Sequence, residues 1–180
     1  MRRAVFLDRD GVINRALVRE GRPYAPTRIE DFHILEGVPQ AVNLLKAAGF
    51  LVIVVTNQPD LTTGKQSPEL LDGMHGLLRE AVAVDAIYVC PHDDLALCSC
   101  RKPKPGMLLA ASESRQIALD KSWMIGDRWR DIEAGQAVGC RTIYIDRGYT
   151  ERVPRADYIV AELPDAVPLI LQTPRKLPRR

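Results

Sequence analysis

Short apolar runs rich in β-branched residues alternate with amphipathic stretches along most of this chain. Segments such as 52–55 and 142–145 are apolar on both sides of an extended backbone, which is typical of strands that are covered on both faces. Helix-like segments separate these runs, and strands that alternate with helices form a parallel sheet. We therefore predict a doubly wound α/β fold, with strands at 4–7, 51–55, 86–89, 123–125, 142–145 and 158–160 and helices at 38–48, 68–82, 105–116, 132–138 and 163–171.

The size and charge of the chain restrict what it can bind. Its 180 residues suit one domain, which we place at 1–172, followed by a basic tail at 173–180. The formal net charge of +2 is too small to predict a nucleic-acid partner. No stretch approaches the roughly 18 apolar residues of a membrane helix, and no apolar signal-peptide region precedes the first strand. We expect a cytoplasmic monomer with no membrane or nucleic-acid partner.

Two carboxylates lie at the end of the first predicted strand. Asp8 and Asp10 are two residues apart, so an extended backbone directs both side chains to the same side. Two like charges at that spacing repel unless a cation or a shared proton compensates them, which indicates a metal ion. The alternative is structural, with Asp10 and Gly11 forming a hairpin turn and Asp8 an ordinary solvated acid.

Two further segments carry groups that bind anions. Thr56, Asn57 and Gln58 follow the second strand, where a hydroxyl and free backbone N–H groups can hold a phosphoryl oxygen; a plain turn is the alternative. Arg101 and Lys102 belong to a run of three cations in four positions, which prolines stiffen. We predict that Lys102 binds a phosphoryl group and that Arg101 binds the rest of the substrate, against the alternative of a solvated charge run.

Acids also follow the fourth strand. Asp127 comes directly after that strand, and Asp131 follows four residues later in the first turn of the next helix. We predict Asp127 as a metal ligand, and we expect Asp131 to bind backbone N–H groups or to orient a neighbour. Because ligands bind beyond the carboxyl ends of the strands in such sheets, these clusters should meet at one edge.

Three cysteines and a histidine are concentrated between residues 90 and 100. Their spacing, C-P-H followed by C-S-C, allows four ligands to close around a zinc ion. A redox-active thiol pair is the alternative, but the C-x-C spacing and the adjoining histidine favour metal. With four protein ligands no position remains for water, so this zinc should be structural. The predicted ligands are Cys90, His92, Cys98 and Cys100.

The polar motifs occur in a recognisable order. DRDG at 8–11, TNQ at 56–58, RKPKPGM at 101–107 and IGDRWRD at 125–131 resemble the haloacid dehalogenase (HAD) superfamily of phosphatases. With the CPH and CSC elements, the pattern resembles the zinc-containing heptose bisphosphate phosphatase branch of that superfamily. The resemblance covers residues 4 to about 148.

This resemblance implies a phosphatase that forms an aspartyl phosphate. Asp8 would be the nucleophile, and Asp10 would be the general acid and then the general base. Mg²⁺ would be held by Asp8, the backbone carbonyl of Asp10 and Asp127. The phosphoryl oxygens would be bound by Thr56 and Lys102. Substrate contacts are expected from Asn57, Gln58, Arg101 and Arg128, and structural zinc from the four ligands named above.

The same resemblance implies a small phosphorylated sugar as substrate, D-glycero-D-manno-heptose 1,7-bisphosphate cleaved at C7. The segments between the motifs are largely used by predicted strands and helices of the sheet, so we expect no large cap domain. Residues 59–64 depart from the Ser-Gly-Ile-x-Arg-Gly pattern usual in the branch and remove an arginine, and the segment 15–22 is longer than usual.

Two alternative functions follow from parts of the sequence. Histidinol-phosphate phosphatases of the superfamily share a compact CPH…CxCRKPK element, so histidinol phosphate is an alternative substrate. A zinc-stabilised module that binds nucleic acid or protein would use the basic tail and the RKPK run. Such a module has no need of acids at three strand ends, and the phosphatase is therefore our prediction.

Overall fold

The computed structural model describes residues 1–172, and the predicted basic tail at 173–180 lies outside the described residues. Six parallel strands form the main sheet: β1 (Arg3–Leu7), β4 (Phe50–Asn57), β5 (Ala86–Cys90), β6 (Trp123–Gly126), β7 (Arg141–Ile145) and β8 (Tyr158–Val160). Their spatial order is β5-β4-β1-β6-β7-β8. The doubly wound α/β prediction is confirmed, and the described residues contain no large cap.

Helices cover both faces of this sheet. Buried residues of α1 (Val38–Ala47), α2 (Pro68–Ala81) and α5 (Leu163–Gln172) belong to one apolar core. Those of α3 (Gly106–Arg115) belong to a second core on the other face, together with Ala134 of α4 (Trp129–Ala137). The central strands β1, β4 and β6 are therefore almost fully buried, which explains their uninterrupted apolar sequences.

The strand order places the site beside β1. The chain passes from β1 to β4 and β5 on one side, and then returns to β6 and β7 on the other side. Leu7, the last residue of β1, pairs in register with Val54 of β4 and with Ile125 of β6. Strands β1 and β6 therefore end at nearly the same level, and β4 extends three residues farther. The loops that follow these strands diverge at this reversal of order and leave a crevice there, where doubly wound sheets bind ligands.

One helix boundary differs from the prediction. Helix α4 begins at Trp129, three residues before the predicted start at Ile132. The Asp131 carboxylate explains the difference, because its Oδ2 accepts a hydrogen bond of 3.0 Å from the backbone N–H of Arg128 and so caps the first turn. This is one of the two roles predicted for Asp131.

A hairpin outside the main sheet was not predicted. Strands β2 (Leu17–Arg19) and β3 (Arg22–Tyr24) pair antiparallel across the turn at Glu20 and Gly21. Both turn residues have positive φ, 50° and 73°, as a type I′ turn requires. The hairpin includes most of the segment 15–22, which was noted above as longer than usual for the superfamily branch. Within residues 1–172, no helix has the length and apolar character needed to cross a membrane.

Candidate active site

Three acids from two segments converge at the carboxyl end of the sheet. Asp8 follows β1, Asp127 follows β6, and Asp131 lies in the first turn of α4. One carboxylate oxygen from each lies within 4.8 Å of the others, and all three residues are buried. The predicted pair of Asp8 and Asp127 is thus brought together, and Asp131 joins it.

Lys102 is the cation that faces these acids. Its Nζ donates hydrogen bonds to Oδ1 of Asp8 at 2.8 Å and to the Val55 carbonyl at 2.7 Å, and it lies 2.6 Å from Oδ1 of Asp131. Burial works against the charge on Lys102, but the attraction of Asp131 and Asp8 prevails and raises its pKa. Lys102 therefore stays an ammonium ion beside the predicted nucleophile.

Asn57 holds the loop that carries Lys102. Its Oδ1 accepts a hydrogen bond of 3.1 Å from the backbone N–H of Lys102, and its Nδ2 donates to the Lys102 carbonyl at 3.2 Å. The predicted substrate contact of Asn57 is compatible with its place on the wall of the pocket. Its side chain also fixes the neighbouring cation, which the sequence did not indicate.

The electrostatics of the three acids fit a divalent cation. Burial raises the pKa of Asp8 to about 6, although Lys102 opposes that rise. Burial, Asp8 and Asp131 raise the pKa of Asp127 well above its usual value. One ammonium cannot balance three buried carboxylates, and Oδ1 of Asp127 is buried with no hydrogen-bond partner among residues 1–172. Oxygen ligands with this excess of negative charge are suited to Mg²⁺.

Asp10 has a separate set of partners. Its carboxylate accepts hydrogen bonds from Nη2 of Arg9 at 3.0 Å, from Nδ2 of Asn14 at 2.9 Å and from Nε2 of Gln58 at 2.8 Å. Arg9 is fully buried, and its Nη1 lies 3.3 Å from Nε2 of His75 on α2. The side chain of Asp10 is therefore fixed by three residues from the loops that follow β1 and β4, and it remains on the pocket wall.

The structure places Gln58 and Thr56 beneath the pocket surface. Nε2 of Gln58 donates to Oγ1 of Thr56 at 2.8 Å as well as to Asp10, and both side chains are buried. Gln58 was predicted to contact substrate, whereas its amide here contacts Asp10 and Thr56. Its geometry is that of a residue that positions the predicted general acid, Asp10, and the predicted phosphoryl-binding hydroxyl of Thr56.

Gly11 allows the loop after β1 to pass against Asp127. Its φ is +86°, and a Cβ atom at this position would lie 1.8 Å from Oδ2 of Asp127. The same carboxylate oxygen accepts a hydrogen bond of 2.8 Å from the hydroxyl of Tyr149. Tyr149 was not predicted, because nothing in the sequence near position 149 indicates a contact with a residue 22 positions earlier.

Asp8, Asp10 and Asp131 line an open pocket of about 780 Å³. Arg101 and Arg128, both predicted to contact substrate, line it, and each is paired with an acid. Nε of Arg101 donates to Oδ1 of Asp94 at 2.9 Å, and Nε of Arg128 donates to Oε2 of Glu151 at 3.0 Å. Two cations near the acids suit a substrate that carries more negative charge than one phosphoryl group.

Three consecutive residues after β7 connect the parts of this pocket. Tyr149 contacts Asp127, the backbone N–H of Thr150 donates to the Gly21 carbonyl at 2.9 Å, and Glu151 pairs with Arg128. The hairpin β2–β3 is held at the pocket mouth by the Thr150 contact, and its residues Arg22 and Tyr24 line the pocket.

The predicted zinc ligands also come together. Sγ of Cys90 lies 3.8 Å from Sγ of Cys98 and 3.0 Å from Sγ of Cys100. Nδ1 of His92 lies 3.6 Å from Cys90 Sγ and 3.4 Å from Cys100 Sγ. A tetrahedral zinc with Zn–S bonds of ~2.3 Å separates its sulfurs by about 3.8 Å, so the four groups need only small shifts to hold this ion. All four cysteines of the chain are free thiols in this structure.

Known proteins resemble this chain in sequence and in structure. Residues 99–168 match the family model described as HAD-hydrolase-like. The chain is 40% identical to the D-glycero-beta-D-manno-heptose-1,7-bisphosphate 7-phosphatase of Pseudomonas putida, over 82% of this chain and 85% of the relative. It is 36% identical to the enzyme of the same name from Escherichia coli K12, over 91% of this chain and 93% of the relative.

A solved structure of a protein with the same activity in its name also resembles this chain. The crystal structure of a D,D-heptose 1,7-bisphosphate phosphatase from B. bronchiseptica, complexed with magnesium and phosphate, superposes with a TM-score of 0.80 at 29% identity. The match covers 94% of this chain and 98% of that structure. The converging acids, the buried lysine and these relatives agree, and the chain belongs to the family of D-glycero-beta-D-manno-heptose-1,7-bisphosphate 7-phosphatases within the HAD-like hydrolases.

Proposed function

We propose that this protein is a magnesium-dependent phosphatase that removes the C7 phosphate of D-glycero-β-D-manno-heptose 1,7-bisphosphate through an aspartyl phosphate. The observation that carries the proposal is the cluster of Asp8, Asp127 and Asp131 around Lys102, in a chain whose relatives bear this activity in their names. These relatives favour the heptose ester over histidinol phosphate, the alternative that the sequence left open.

In the first step, a carboxylate oxygen of Asp8 attacks the phosphorus of the C7 phosphate. The bond between phosphorus and the C7 oxygen breaks, and Asp10 donates a proton to that oxygen as it leaves. Nζ of Lys102 and the hydroxyl of Thr56 donate hydrogen bonds to the phosphoryl oxygens, where the charge is spread in the transition state. Gln58, Asn14 and Arg9 fix Asp10 during this transfer.

In the second step, Asp10 is the base. Its carboxylate takes a proton from a water molecule, and the water oxygen attacks the phosphorus of the aspartyl phosphate. The bond between phosphorus and Asp8 then breaks, which releases inorganic phosphate and restores the carboxylate of Asp8. The heptose leaves with its C1 phosphate intact.

Mg²⁺ would be held by the carboxylates of Asp8 and Asp127 and by the backbone carbonyl of Asp10, with Asp131 beside them. When bound, it neutralises charge on the phosphoryl group and on the carboxylates around it. The buried, unpartnered Oδ1 of Asp127 supports this assignment.

We propose a structural zinc ion on Cys90, His92, Cys98 and Cys100. The ion would fix the loop at 90–100, and Arg101 and Lys102 follow that loop directly. Zinc in this place would keep the anion-binding side chains in position without entering the reaction. The proposal also includes one folding unit at 1–172 and a cytoplasmic monomer, and sedimentation equilibrium at micromolar concentration tests the monomer.

The decisive experiment measures inorganic phosphate released from the β-heptose 1,7-bisphosphate and from histidinol phosphate, with and without Mg²⁺. We expect a higher kcat/KM for the heptose ester, dependence on Mg²⁺, and no turnover by Asp8→Asn. Asp72→Asn, at an exposed position of α2, is the matched control and should retain full activity. Turnover retained in Asp8→Asn would exclude the covalent mechanism, and a higher kcat/KM for histidinol phosphate would exclude the proposed substrate.

A further inference from the structure

One carboxylate at the pocket mouth is shared by two arginines. Oδ1 of Asp94 accepts a hydrogen bond of 2.9 Å from Nε of Arg101, and Oδ2 of Asp94 accepts one of 3.3 Å from Nη2 of Arg130. Nη1 of Arg130 also donates to Oδ1 of Asp94. All three residues line the same pocket as the catalytic acids. Two guanidinium groups thus converge on a single oxyanion.

The two arginines are held by other parts of the fold. Nη1 of Arg101 donates to the His92 carbonyl at 3.0 Å, and Arg101 directly follows Cys100 of the proposed zinc cluster. Arg130 lies in the first turn of α4, where its guanidinium carbon is 5.1 Å from the centre of the Trp129 ring. Nε of Arg130 has no acceptor among residues 1–172, so the guanidinium has donors to spare.

The carboxylate, in contrast, is mostly exposed to solvent. The Asp94 side chain is 61% exposed, whereas those of Arg101 and Arg130 are 14% and 22% exposed. The turn that contains Asp94 is held by its neighbour, because Oδ1 of Asp93 accepts hydrogen bonds from the backbone N–H groups of Leu95 and Ala96 at 3.0 and 3.1 Å. The Asp94 side chain can therefore leave the arginines while the turn keeps its shape.

A sugar bisphosphate needs a second anion site in this pocket. One phosphate must lie against Asp8 and Lys102, and the other must find cations farther out, since an unpaired dianion in a partly buried pocket is costly. We propose that Arg101 and Arg130 form the subsite for this second phosphate, and that Asp94 occupies the subsite in the free enzyme. The substrate then displaces an internal carboxylate on binding. The inference rests on the proposed function, because only a bisphosphate requires such a subsite.

A competing role and a purely structural role of Asp94 predict opposite effects of its removal on phosphate binding. If Asp94 competes with the phosphate, its removal strengthens binding. If Asp94 only orients Arg101 and Arg130, its removal weakens binding. Phosphate binds guanidinium groups through two parallel hydrogen bonds, as a carboxylate does, so the exchange keeps the pairing geometry.

The test uses D-glycero-β-D-manno-heptose 1-phosphate, which carries only the second phosphate, in calorimetric titrations with Mg²⁺ present. We expect Asp94→Asn to lower its Kd roughly three- to ten-fold, since the ion pairs it removes are partly exposed. We expect Arg130→Gln to raise the Kd about ten-fold or more, since a charge-assisted hydrogen-bond donor is lost. Glu30→Gln removes an exposed acid from its pair with Arg28 and should leave the Kd unchanged.

An unchanged or higher Kd in Asp94→Asn would overturn the subsite proposal, as would an unchanged Kd in Arg130→Gln. These outcomes are separate from the fate of the proposed function. Wild-type enzyme that fails to hydrolyse the bisphosphate, yet shows both shifts in Kd, would reject the substrate and keep the subsite. Enzyme that hydrolyses the bisphosphate without these shifts would keep the function and reject the subsite.

Discussion

The hydroxyl of Tyr149 donates a hydrogen bond of 2.8 Å to Oδ2 of Asp127, and this leaves Oδ1 of the same carboxylate unpartnered among the described residues. The contact fixes the plane of a carboxylate that is proposed to hold Mg²⁺. Groups that orient a metal ligand in this way affect the affinity for the metal without touching it.

Tyr149→Phe should therefore weaken Mg²⁺ binding while the ring keeps its packing. We expect the Mg²⁺ concentration for half-maximal activity to rise about ten-fold. The Mg²⁺-induced increase in Tm should shrink in parallel, which reports binding without turnover. Tyr158→Phe on β8 is the control, because this tyrosine lies at the far edge of the sheet. Unaltered Mg²⁺ dependence in Tyr149→Phe would contradict the assigned role.

Gly11→Ala should damage both the fold and the reaction. The new Cβ would lie 1.8 Å from Oδ2 of Asp127, and the alanine would also have to adopt a positive φ. Gly139→Ala, also at positive φ but with nothing within 4 Å, measures the backbone strain alone and should cost about 1 kcal/mol in urea unfolding. We expect a clearly larger loss for Gly11→Ala, together with loss of phosphatase activity. Equal losses for the two variants would mean that the loop adjusts freely.

His75 gives the stability of the protein a defined dependence on pH. Burial, and secondarily the neighbouring charge of Arg9, lowers its pKa from 6.5 to about 4, so the imidazole stays neutral in the folded protein. The unfolded chain binds this proton as the pH falls below 6.5, and the folded protein does not. Stability is thus lost between pH 6.5 and 4, by about 1–2 kcal/mol at pH 5.

The measurement is urea unfolding of wild type and His75→Gln at pH 7 and pH 5. The variant retains a hydrogen-bonding group beside Arg9 but does not titrate, so its stability should fall less between these two pH values. His33→Gln, at an exposed position, should behave as wild type. The same pH dependence in His75→Gln as in wild type would refute the prediction.

Cys98→Ser should release zinc and reduce activity through the residues that follow the loop. Elemental analysis should find one zinc per chain in wild type and in Cys140→Ser, whose thiol lies outside the cluster, and less than one in Cys98→Ser. We expect a lower Tm for the zinc-poor variant. Wild-type protein purified without zinc but with normal stability and activity would argue against a structural ion.

Most of the fold could be predicted from local sequence patterns. The apolar runs at 51–55 and 142–145 predicted strands that the structure confirms. Hairpin β2–β3 escaped prediction because its strands are three residues long, one of them contains Pro23, and its turn is Glu-Gly, which is a weaker signal than Asn-Gly.

The predicted acids also came together, but their partners did not follow from the sequence. Asp8 and Asp127 lie at strand ends, where chain topology alone brings them close. The contacts of Tyr149 with Asp127, and of His75 with Arg9, join residues from different elements whose approach depends on the packed structure. Gln58 shows the same limit, since its motif position suggests a substrate contact while its buried amide faces Asp10.

The run from Tyr149 to Glu151 has a consequence for how this enzyme can evolve. Successive side chains and backbone groups of this run reach Asp127, the hairpin and Arg128. Inserting or deleting one residue here would shift all three contacts at once. A change of loop length would therefore alter the affinity for the metal ion and the preference for substrate together. Divergence toward other sugars should therefore proceed by substitutions here, at a fixed loop length.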